Sequence, residues 1–139
     1  MCLAVEFFYE GKEYTPYFPN PYATLPVLSK NGTITLLPWG RRQSQLGNLP
    51  LGGWAKLESI QKNVWQKYFP KAVKLPITRF AEKDSEGKTH WFKVQDDQFI
   101  QGLLARYDNE VRVYIVTVTP TEPEVIHDRW PRILVRPEF

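Results

Sequence analysis

Short apolar runs, several of them alternating with polar positions, recur along this chain between clusters of turn residues. That pattern predicts strands more than helices. Residues 3–9 (LAVEFFY) read as a first strand. Residues 25–28 and 33–37 flank Asn31-Gly32. That dipeptide favours a type I′ hairpin turn, because both central positions need positive φ. Residues 73–81, interrupted at Pro76, and residues 89–94 (THWFKV) form a pair around the polar loop 84–88. Residues 99–107, with Gly102 at a bend or close approach, lead through Asp108-Asn109 into 111–118 (VRVYIVTV), the strongest strand signal present. A short apolar strand over 133–135 comes last.

One stretch carries a different period. Leu57, Ile60, Val64, Trp65 and Tyr68 recur at helical spacing, and Pro70 stops that helix. Lys56, Lys62 and Lys67 then fall mostly on its solvent side. Residues 11–23 hold Pro16, Pro19 and Pro21 and read as an ordered loop, since each proline removes a ladder donor. Residues 43–53 read as loop and residues 122–126 as a short helical turn. No repeat, low-complexity tract or linker divides the chain. The expected architecture is α+β: a single mostly-β domain over residues 1–139, with a strongly bent, barrel-like antiparallel sheet and one main helix.

Composition sharpens this. Aromatic residues make up 14% of the chain and prolines number 12, which suits strands and shaped loops better than a helical bundle. The single cysteine excludes an internal disulfide and a Cys-rich zinc site, and it suits the cytoplasm. No apolar run is long enough to span a membrane, and no basic region followed by an apolar stretch marks a secretory signal. The net charge of +3 sits in residues 1–70, where seven Lys/Arg face four Asp/Glu; residues 71–139 carry eleven of each. The adjacent Arg41 and Arg42 belong to that basic half. A phosphate-contacting face and an ordinary solvated basic face are both compatible with this balance. Tyr14, Tyr17, Phe18 and Tyr22 are equally open, as core plugs or as a stacking surface.

The candidate chemistry begins at Met1-Cys2. Removal of Met1 leaves Cys2 with a free α-amine beside its thiol, an arrangement that no internal cysteine offers. The amine has a reference pKa of about 7.7–8.0 and the thiol one of about 8.5, so both nucleophiles are partly available near neutrality. An aldehyde forms an imine with the amine, and the thiolate then closes a five-membered thiazolidine. The plain alternative is a small buried residue opening a strand. Three further pieces stand out: Trp39-Gly40 after a strand, Glu82 at a strand end, and His127 in His127-Asp128-Arg129-Trp130-Pro131. Separately, the first reads as packing and the second as a solvated charge. His90 alternates with apolar neighbours and reads as structural.

In order and spacing, these pieces resemble the SRAP family, the SOS-response-associated peptidases. That family opens Met-Cys, runs a strand into Trp-Gly, opens a helix with Asn-Ala-Arg-x-Glu, ends a strand in Gly-Phe-Tyr-Glu-Trp, and closes with His-x-Arg-Met-Pro before an apolar strand. The matching stretches here are Met1-Cys2, residues 36–40, 55–59, 77–83, 102–103, 115–119 and 127–134. Departures are specific. Gly-Arg after the Cys becomes Leu3-Ala4. Trp54-Ala55-Lys56 stands where the family has Asn-Ala-Arg. The Glu motif is Arg79-Phe80-Ala81-Glu82-Lys83, and Met becomes Trp130.

The resemblance implies a protein that binds single-stranded DNA and links covalently to the ring-opened aldehyde of an abasic site; a monomer is expected. It implies no cofactor and no metal. In that reading the Cys2 amine forms the Schiff base and its thiol closes the ring. His127 protonates the sugar ring oxygen, and Glu82 takes or holds the proton of the α-ammonium. Arg41, Arg42, Lys56 and Arg129 contact phosphates, and Trp39 stacks on a base. Two other readings compete: a non-catalytic relative that keeps the fold and some DNA affinity, and a cysteine-type (auto)peptidase using Cys2, His127 and Glu82.

Overall fold

The computed structural model describes residues 3–120 and 129–136. The chain is mostly β, with one short helix and two largely antiparallel sheets. Neither sheet closes into a barrel, which corrects the expected barrel-like form.

The smaller sheet has the order β2-β1-β7-β8, built from β1 (Ala4–Tyr9), β2 (Lys12–Tyr14), β7 (Arg79–Lys83) and β8 (Thr89–Lys93). β1 and β2 form a hairpin across Glu10-Gly11, both at positive φ (52° and 76°). The expected loop over 11–23 therefore begins with a strand. The larger sheet contains β3 (Thr24–Leu28), β4 (Ile34–Pro38), β6 (Lys71–Leu75), β9 (Gln98–Tyr107), β10 (Glu110–Val118), β11 (Trp130–Pro131) and β12 (Ile133–Val135). β5 (Trp54–Lys56), inside a segment expected to be loop and helix start, pairs parallel with β10.

Two local expectations change for identifiable reasons. The hairpin between β3 and β4 forms with Leu28 opposite Ile34, but only Gly32 of the dipeptide has positive φ (87°). Gly32 N–H donates to Ser29 O at 3.1 Å, and Ser29 N–H to Thr33 O at 2.9 Å. This is a longer loop with glycine alone in the left-handed position, not a type I′ turn. The helix is also shorter than its stripe. α1 covers Leu57–Gln61, and a 3₁₀ turn covers Gln66–Tyr68. Between them Asn63 sits at φ 62°. Val64 N–H reaches Ser59 O at 3.0 Å and Asn63 N–H reaches Ile60 O at 3.1 Å. These two bonds make a Schellman stop with Asn in the left-handed site. Val64 is consequently 60% exposed although it belongs to the apolar stripe.

The core has two parts, one on each face of the larger sheet. One joins Val5, Phe7 and Phe80 of the smaller sheet to Leu75, Ile100, Val113 and Ile115 of the larger. The other gathers Leu103, Tyr114 and Val116 with Trp65, and α1 covers it through Leu57 and Ile60. β10 supplies alternate residues to each side. A strand covered on both faces reads as a continuous apolar run, which is why residues 111–118 gave so strong a signal. Among the described residues no helix is long and apolar enough to cross a membrane.

Candidate functional site

The register of the smaller sheet brings the start of the chain to Glu82. Ala4 pairs with Ala81, Val5 with Phe80 and Glu6 with Arg79. Leu3 N–H donates to Ala81 O at 2.8 Å. One further step of this register places Leu3 opposite Glu82. On its other edge Leu3 is held by the loop before β3, since Phe18 N–H donates to Leu3 O at 3.0 Å. Two neighbours thus fix the direction in which the chain enters. Cys2 itself lies outside the described residues.

Glu82 is fully buried at 0% exposure. Burial pushes its carboxyl from the ordinary 4.5 up to about 7, because removal from water penalises the charged form. The sequence reading of a solvated charge at a strand end is therefore corrected. A carboxyl poised near neutrality is suited to taking up and releasing a proton.

Across β7, Glu82 pairs with His90 on β8. Residues directly opposite in an antiparallel pair project from the same face, so Glu82 and His90 share one side. His90 Nε2 lies 2.7 Å from Asp84 Oδ2. Asp84 also accepts from the backbone N–H of Glu86 and Lys88, each at 2.9 Å. His90 and these amides hold its carboxyl below the usual range. The same face carries Phe80 stacked on Phe92, with centroids 5.5 Å apart. Trp130 stands edge-on to both rings, at 5.0 and 4.9 Å. The third residue after His127 is thus seated beside the Glu82 strand. His127 lies outside the described residues.

The Trp39 region meets the chain start through Phe18. Phe18 packs against Trp39 at 5.4 Å and Trp54 at 4.8 Å. Trp54 is the residue standing where the resemblance would place Asn. Its Nε1–H is buried with no hydrogen-bond partner among the described residues.

The expected DNA contacts fare differently. Trp39 is 0% exposed, and its Nε1–H donates to Gly53 O at 3.1 Å; a ring with no free face cannot stack on a base. Arg41 donates to the carbonyls of Leu49 and Gln45, each at 2.7 Å. Arg42 donates to Phe18 O and Trp39 O at 2.5 and 2.6 Å, and lies 4.0 Å over the Phe18 ring. Burial, with Arg112 adding to it, pulls its guanidinium down to about 10. Arg129 is 8% exposed and bonds Thr117 O at 2.6 Å and Glu58 Oε2 at 2.8 Å. These three arginines knit the loops around Gly40 and the entry to β11. Lys56 is exposed.

No family model, no curated protein and no solved structure matches this chain. Its chemistry rests on its own residues.

Sequence reasoning missed the Asp84–His90 pair and the Glu58 partner of Arg129. The first had a readable signal, an acid and a histidine on opposite sides of one hairpin loop. The second joins residues 71 positions apart, with no local trace. Among the described residues no group of three or more His, Cys, Asp or Glu is placed to hold a metal ion.

Proposed function

We propose that this protein has a SRAP-like fold and function: it binds single-stranded DNA and links to abasic sites through Cys2 as its N-terminal residue. The Cys2 amine condenses with the aldehyde to an imine, releasing water. The thiolate then adds to the imine carbon while the nitrogen takes up a proton, closing the thiazolidine. Glu82 serves as the proton acceptor of the α-ammonium, and His127 as the acid that opens the sugar ring. The observation that carries this reading is the burial of Glu82, with its carboxyl raised to about 7, in the strand that receives the start of the chain. The Phe80–Phe92–Trp130 cluster adds support, because it seats the segment following His127 on the same face.

A second reading has an observation of its own. The internal bonding of Trp39, Arg42 and Arg129 leaves Lys56 as the one exposed member of the expected DNA-contact set. That favours a relative that keeps the arrangement but grips DNA weakly and forms no bond.

Intact mass of the protein, alone and after mixing with an abasic single-stranded oligonucleotide, separates the two. A Met-less protein giving a heat-stable adduct, lost in Cys2→Ala and slowed in Glu82→Gln, is expected. A Met-less protein that binds the oligonucleotide in a salt-dependent way without an adduct supports the non-catalytic relative. Retention of Met1 with no adduct refutes the aminothiol mechanism.

A further inference from the structure

Away from Glu82, the larger sheet opens between two of its own strands. β3 and β6 are registered at one pair only, Leu28 with Lys74. β6 continues its ladder with β9 along its other edge from Lys71 to Leu75. Beyond the Leu28–Lys74 pair, no backbone hydrogen bond joins residues 29–32 to residues 71–73; Ser29 and Gly32 bond within their own hairpin loop instead. The strands splay there around a cleft of about 470 Å³. Ala72, on the open stretch of β6, is exposed.

The chemistry of this cleft has one sign. Its floor is aliphatic, from Val27, Val73 and Leu104, and Lys30, Lys71 and Lys74 stand around it. All three lysines are exposed, and none forms an ion pair with a described residue. Among the described residues no Asp or Glu lines the cleft. Lys74 Nζ lies 5.2 Å from the Phe99 ring centroid, which orients it.

We propose that this cleft is a docking site for an extended acidic peptide of a partner protein, which adds as a strand along the open edge of β6. An unpaired strand edge offers N–H and C=O groups at the spacing of another strand, and side-chain pockets supply the specificity. Aliphatic residues of the peptide meet Val27, Val73 and Leu104, its alternate carboxylates meet Lys74 on the opposite face of β6, and Lys30 and Lys71 add positive charge at the rim. Among the described residues the lining contains no aromatic ring. It therefore has no stacking platform for nucleobases, and a peptide fits it better than a nucleic-acid strand. The proposal does not depend on the chemistry at Glu82.

The test uses a fluorescent peptide of about ten residues alternating Glu and Val, long enough at about 3.3 Å per residue to cover the edge. Its Lys/Val counterpart and an oligothymidylate of similar length serve as competing probes. Saturable binding of the Glu/Val peptide is expected. Its affinity should fall at least about tenfold in Lys71→Glu/Lys74→Glu, with preference switching to the Lys/Val peptide. Hydrogen exchange at residues 71–73 should slow when the peptide binds. Binding that ignores the charge reversal, or no saturable binding, overturns the proposal. Tighter oligothymidylate binding that the same reversal abolishes also overturns it, assigning the cleft to nucleic acid.

Discussion

Glu82→Gln isolates the one buried carboxyl, among the described residues, whose charge opposes the fold. Glu82 is raised from 4.5 to about 7 by burial. A native carboxyl that holds its proton more tightly than the unfolded chain does makes stability fall as pH rises through the interval between those two values. The usual salt-bridged acid behaves in the opposite sense. At about 1.4 kcal/mol per pKa unit, full ionisation of Glu82 costs about 3 kcal/mol. About 2 kcal/mol of that develops between roughly pH 5.5 and 8.5, the rest below. The side chain is 0% exposed, so solvent offers little screening. Gln carries no charge at any pH, so its variant lacks this slope. Urea denaturation followed by tryptophan fluorescence, run on both proteins across that pH range, gives the comparison. The difference in unfolding free energy should shift by about 2 kcal/mol in favour of the variant as pH rises. Glu6, Glu58, Asp84 and Glu110 are all lowered, and their contributions cancel in the difference. Parallel profiles for the two proteins would refute the argument that burial controls this carboxyl.

Three other substitutions test the remaining geometry. Gly40 has φ 57°, and a Cβ there would meet Gly52 O at 2.1 Å; Gly40→Ala should destabilise by about 3 kcal/mol or more in the same urea assay. Arg129→Lys cannot span Thr117 and Glu58 together, so it should lose about 2 kcal/mol of stability. It should also leave the salt dependence of oligonucleotide binding unchanged, as a buried bracing residue requires. Lys56→Ala should keep its stability and reduce the slope of log affinity against log salt by about 0.7, one single-strand phosphate contact, measured by fluorescence anisotropy.

Much of the strand framework was legible because its cues are local. The run over 111–118 predicted β10, and the Asp84-to-Lys88 cluster marked the turn between β7 and β8. The turn at Asn31-Gly32 was found, but not its type, which depends on φ at Asn31 and not on the dipeptide alone. The helix was overextended because Asn63 reads as an ordinary polar position until its left-handed φ is seen. β5 escaped notice because its three residues carry no period, and its parallel partner lies some sixty positions away. At the site, Glu82 was picked out by motif order, while its burial depends on β1 and β8 closing over it from both sides. The basic and aromatic candidates were the least legible: Trp39 and Arg129 are buried, whereas Lys56 is exposed. Arg42, Arg129 and Trp39 have side chains that serve DNA and a protein interior equally well, and only packing tells the two apart.

The placement of β1 has a consequence for the order of folding. Its partner β7 lies 77 positions further along, as in Ala4 with Ala81. At synthesis rates of about 5–20 residues per second, β1 waits roughly 4–15 s on the ribosome before that partner exists. The hairpins β3–β4 and β9–β10 close over short loops and need no such wait. The strand that shields Glu82 can therefore dock only once β7 has been made, later than the β3–β4 hairpin can close. Throughout that interval Leu3 to Glu6 lack the partner strand that later fixes the direction in which the chain enters.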